Sequence, residues 1–114
     1  MLFRSRARLA EAREQQSQRA LERQKTERTV RLDVRVAMAR LEAARAAEAV
    51  GRSAVAQARE SHRIVRDRYE GGLADVSALM RAAEAVHQAD ARQAAARVDV
   101  VLAAAELNRA AGRR

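Results

Sequence analysis

The sequence predicts an all-α protein, a long antiparallel coiled-coil αα-hairpin, and three observations carry that expectation. The 114 residues contain no Pro and only four Gly, so the turns that strands and loops depend on lack their usual residues. Ala fills 29 positions while aromatics make up 2% of the chain, which leaves few large side chains for a globular core. Apolar or small residues also recur in steps of 4 and 3, the spacing of a coiled-coil seam.

The long helix is expected over about residues 3–70. Between Phe3 and Glu70 only the isolated Gly51 opposes helix, at a cost of about 1 kcal/mol relative to Ala. At 1.5 Å per residue such a helix would reach roughly 100 Å, a coiled-coil length. Its seam reads Val30, Val34, Ala37, Leu41, Ala44, Glu48, Gly51, Val55, Ala58, His62, Val65 and Tyr69. A second series, Leu32, Val36, Ala39, Ala43, Ala46, Val50 and Ser53, lies about 200° around the helix, on the opposite face.

Gly71-Gly72 is the strong breaker and opens a turn at 71–74. Asp75 is a good N-cap for a shorter helix over about 75–111, after which Gly112 ends it. The seam of this return arm is Leu79, Ala82, Val86, Ala89, Gln93, Ala96, Val100, Ala103, Leu107 and Ala110, with Ala at one of the two heptad positions every time. Small residues there let antiparallel backbones approach closely. The far face, Ala91, Ala95, Val98, Leu102 and Ala105, is apolar too. A free hairpin buries one seam per arm, so the second faces imply further helices from other chains or from another part of the same chain.

Net charge is +8, carried almost wholly by Arg, with Lys25 the only lysine. A basic balance permits nucleic acid or an anionic membrane surface as partner. The basic stretch Arg4, Arg6, Arg8, Arg13, Arg19, Arg23, Lys25, Arg28 and Arg31 is interleaved, however, with Glu11, Glu14, Glu22 and Glu27 and holds no aromatic platform for bases. A solvated helix laced by pairs such as Glu27–Arg31 and Glu48–Arg52 is the simpler reading, and no nucleic acid is expected. The longest apolar run, Val100 to Ala105, is too short to span a bilayer. Leu2 and Phe3 are followed by Arg4, Arg6 and Arg8, which is not the form of a signal peptide. There is no Cys, His62 and His87 fall on opposite arms at different distances from the turn, and no phosphate loop, nucleophile elbow or paired-acid motif occurs. No enzyme activity, metal or cofactor is expected.

The stretch Arg31-Leu-Asp-Val-Arg-Val-Ala-Met-Ala-Arg-Leu-Glu-Ala-Ala and the turn Arg68-Tyr-Glu-Gly-Gly-Leu-Ala-Asp-Val-Ser-Ala-Leu-Met-Arg-Ala together resemble the second helical hairpin of TolC-type outer-membrane efflux proteins. Leu2-Phe3-Arg4-Ser5-Arg6 is similar to the segment where that family's chain leaves its last β-strand. The resemblance implies that residues 1–114 are a single hairpin, the second periplasmic repeat of a trimeric efflux channel. The first repeat and the β-barrel strands are absent, so a truncated chain is expected. It further implies an outer-membrane location with a periplasmic helical portion, a homotrimer, a periplasmic adaptor protein as direct partner and an inner-membrane pump as indirect partner. The tip residues Gly71, Gly72, Leu73, Ala74, Asp75 and Val76 would meet the adaptor. Val34, Leu41, Gly51, Val55, Leu79, Ala82, Val86, Ala89, Ala96, Val100, Ala103 and Leu107 would form the helix-packing seam. Some members of the family place acidic residues just after the tip, where this chain has Ala78 and Arg81. The alternatives are a stand-alone coiled-coil interaction protein and, less favoured, a basic nucleic-acid-binding helix.

Overall fold

The computed structural model describes residues 2–113. They form α1 (Leu2–Glu70) and α2 (Val76–Ala110), an antiparallel helical hairpin with no strand among the described residues. The second helix is one residue shorter at each end than the 75–111 expected from sequence. Asp75 sits outside the helix in extended backbone (φ −88°, ψ 169°) as its N-cap, and Ala111 is the C-cap.

The chain divides after Val36 into two units. In the first, every described residue is exposed except the half-buried Val34. The side-chain hydrogen bonds found there stay within the helix: the hydroxyls of Ser5, Thr26 and Thr29 donate to the carbonyls of Leu2, Glu22 and Lys25. Leu2, Phe3, Leu9 and Leu21 lie open to solvent, so in this unit Arg, Glu, Gln and Ala favour helix through propensity rather than through burial.

The second unit is the hairpin proper. Its buried residues are Ala37, Leu41 and Val55 on α1 and Ala89, Gln93 and Ala103 on α2. Between them Ala44, Glu48, Gly51, Ala58, His62 and Val65 on one arm, and Leu79, Ala82, Val86, Ala96, Val100, Leu107 and Ala110 on the other, are half-buried. Register is set at the middle of the arms. A methyl on Gly51 would stand 3.6 Å from Gln93 Cα, an ordinary contact, so the helices approach closely here without requiring glycine. With the arms antiparallel, that pairing puts Leu41 opposite Ala103, Val55 opposite Ala89 and Leu107 opposite Ala37. A large side chain therefore meets a small one along the seam, which fills the gap at close helix spacing.

A polar pair interrupts the middle of the seam. Gln93 is only 5% exposed, and its Nε2 donates to Glu48 Oε1 at 3.5 Å. No buried side-chain nitrogen or oxygen among the described residues lacks a partner. The buried Gln93 amide penalises slipped pairings, in which it would face hydrocarbon, and so specifies register at some cost in stability. Two exposed bridges cross between the arms on opposite edges, Arg40 to Glu106 at 3.5 Å and Arg59 to Asp90 at 3.2 Å. At this exposure they add more to register than to stability.

Candidate functional site

The reversal between the helices is a compact cap-and-cap arrangement. The Gly72 amide donates to the Tyr69 carbonyl (3.0 Å) and the Leu73 amide to that of Arg68 (2.7 Å), the paired bonds of a Schellman motif, with Gly72 in its left-handed position at φ 76°. Gly112 (φ 74°) repeats the device at the end of α2, its amide donating to Arg109 and that of Arg113 to Asn108. In the usual Schellman motif the residue after the glycine packs its side chain back on the helix. Here the residues it would meet are polar, and Leu73 is left 82% exposed.

Asp75 starts α2. Its Oδ1 accepts from the Ala78 amide at 2.8 Å and from the Ser77 hydroxyl at 3.0 Å. These bonds, the Ala78 amide first, hold the Asp75 carboxyl below its ordinary value because both donors stabilise the charged form. A lowered folded-state pKa means that the cap's contribution is present above the unfolded aspartate value and is lost as pH falls through the folded one. Asn also caps but does not titrate there. The difference in melting temperature between the native chain and Asp75→Asn is therefore expected to be constant at neutral pH and to change below about pH 4, as measured by helical circular dichroism. Glu60, whose carboxyl is also lowered, by its hydrogen bond with Arg63, titrates in both proteins and drops out of the difference. A difference that stays flat through acid would show that Asp75 does not cap as described.

Around these caps the tip exposes apolar side chains. Val76 and Met80, one helical turn apart, are 58% and 65% exposed, and Tyr69 on the other arm is 41% exposed. Gly71, Gly72 and Asp75 are exposed and Ala74 is half-buried. Sequence reasoning missed Met80, although its spacing from Val76 was a usable signal. It placed Tyr69 and Val30 at the two ends of the seam, and both are exposed. Tyr69 lies in the last turn before the reversal, where the chain is already leaving its partner arm. The two positions after the tip are taken up locally: Ala78 donates to the cap, and Arg81 Nε donates to the Ser77 carbonyl at 3.3 Å.

The second faces lie open. Leu32, Val36, Ala39, Ala43, Ala46, Val50 and Ser53 are exposed on α1, as are Ala91, Ala95, Val98, Leu102 and Ala105 on α2. Of the two same-helix pairs singled out in the sequence, Glu48 and Arg52 are bridged at 3.5 Å. His62 is half-buried on the seam and His87 is exposed. Among the described residues no cluster of three or more His, Cys, Asp or Glu could hold a metal, and no described helix is long and apolar enough to cross a membrane.

The hairpin thus has one buried seam, exposed outer faces with apolar residues and a capped, exposed tip. The family model of outer membrane efflux proteins matches residues 2–113, and the chain belongs to that family. No curated protein and no solved structure matches it. Membership makes it a component of an outer-membrane efflux channel, from a family of channel proteins rather than enzymes.

Proposed function

We propose that this chain is part of the helical periplasmic duct of a tripartite export system for small molecules, and that its tip docks a periplasmic adaptor. The observation that carries the reading is the tip itself. Leu73 and Val76 are exposed beside a reversal held by its own Schellman and N-cap hydrogen bonds. These side chains are therefore available to a partner without unfolding either cap, and contacts of this kind suit an adaptor's helical tip.

The exposed second faces support the rest of the reading. In a closed ring each helix touches a neighbour on both sides, and a homotrimer of the parent channel would cover Val98 and Leu102 as well as Val50. The inner-membrane pump then connects only through the adaptor. The chain forms wall and docking surface and performs no covalent chemistry.

The test is a photo-crosslinker placed at Leu73 in the assembled channel, with another at Gln88 on an exposed helix face. Capture of the adaptor from Leu73 and not from Gln88 is expected. Equal capture from both, or none from Leu73, would remove the tip as the docking surface.

A further inference from the structure

Positions flanking a coiled-coil seam decide which charges cross it, and the two edges of this hairpin differ. On one edge α1 carries Arg45, Arg52, Arg59 and Arg66, each directly after a seam residue. Their seven-residue spacing puts them about 10 Å apart along the helix. The facing positions of α2 are Ala83, Asp90, Arg97 and Ala104. Five arginines thus stand against one acid. On the other edge Arg40, Arg68 and Arg92 stand with two acids, Asp99 and Glu106, and Arg40 bridges Glu106, so the imbalance there is one charge rather than four.

The imbalance concentrates at one place. Arg59 is bridged to Asp90 at 3.2 Å. One heptad further, the same antiparallel register brings Arg52 to Arg97, a like-charge pair. Both arginines line, with Arg59 and Asp90, a groove of about 440 Å³ between the arms. Ala56 and Ala94 form part of its walls, and small side chains there keep it open. Arg52 is drawn back along its own helix to Glu48 at 3.5 Å, whereas Arg97 takes part in no salt bridge among the described residues.

We propose that this groove is a binding site for multivalent oxyanions, carboxylates or phosphates, held between Arg52 and Arg97. Facing guanidinium groups repel, and an anion between them turns that repulsion into two attractions. The planar guanidinium fork matches carboxylate and phosphate oxygens in a way that the single point charge of lysine does not. Both side chains reach the groove from exposed positions, so a solute enters without opening the seam. The site is independent of the tip and of the export reading.

The experiment uses the 114-residue chain and follows thermal unfolding by circular dichroism. Citrate and inorganic pyrophosphate, at low millimolar concentration, are compared with sodium chloride at matched ionic strength, so that the carboxylate and phosphate sources are read separately. A rise in melting temperature of about 4 °C or more over chloride is expected with at least one of them. Arg97→Gln should lose the rise, and Arg92→Gln on the opposite edge should keep it. Arg97→Glu supplies the carboxylate covalently, so it should melt higher than the native chain without added anion and respond to neither probe. No rise in the native chain, a rise of equal size in Arg97→Gln, or a lower melting temperature for Arg97→Glu would overturn the proposal. General salt exclusion from the protein surface would act on all variants alike and is recognised by that pattern.

Discussion

Replacing Ala89 by Leu is expected to destabilise the hairpin by about 1 to 3 kcal/mol, the usual cost of forcing methylenes into a packed seam. Ala89 is 8% exposed and stands opposite the buried Val55, so the arms would have to separate or Val55 would have to leave its rotamer. Ala96→Leu should be costly for the same reason but less so, since Ala96 is only half-buried and lies across from the Glu48–Gln93 layer. Leu at Gln88 or Arg92, both exposed, adds no strain and should leave the midpoint nearly unchanged. Thermal melts of the four variants decide it, and equal melting temperatures would mean that the seam runs elsewhere.

The second large effect is expected at Gly72. Its φ of 76° lies in a region that β-branched residues rarely enter, at a cost of about 1 to 3 kcal/mol. Space is not the obstacle, because a Cβ built there meets nothing within 4 Å. Gly72→Val therefore acts through the backbone: it strains the Schellman cap and moves Leu73, which the docking proposal places against the adaptor. In a channel rebuilt around this hairpin, Gly72→Val should reduce drug resistance and crosslinking from Leu73 while trimer levels in the outer membrane hold. Gly71→Ala is the matched control. Its Cβ would lie 3.5 Å from the Asp67 carbonyl oxygen and 3.7 Å from that of Arg68, in ordinary contact, and it should be mild, as should Ala74→Ser. Full resistance with undiminished crosslinking in Gly72→Val would make the turn a connector only.

The features legible in the sequence are those whose causes are local. A helix follows from propensity and from the lack of Pro. The reversal follows from Gly71-Gly72, since a left-handed residue after a helix is most often glycine. Asp75 followed three residues later by a free amide is a cap for reasons contained in four residues. The 4,3 spacing reports helix phase because every seam residue is related to the next by one turn of the same helix. Hence the hairpin, its turn and its caps are all written in residues a few positions apart.

What only the tertiary structure decided is the relation between residues far apart in the chain. Nothing in the sequence says that Gly51 faces Gln93, because that depends on how far the arms travel back past one another after the turn. The register also decides which arginine gains an acid and which does not. Arg59 meets Asp90, and Arg52 lines the same groove as Arg97, although the four arginines of that edge are equivalent as a sequence pattern. Tyr69 shows the same limit from the other side. It has the right phase for the seam and is exposed, because phase assigns a residue to a face while burial requires a partner helix at that height. The sequence by itself determined two helices, their caps and the faces they offer, through interactions spanning four or five residues. The fold alone determined in what register the two seams meet and where along them burial ends, because that choice belongs to contacts between arms whose residues lie tens of positions apart.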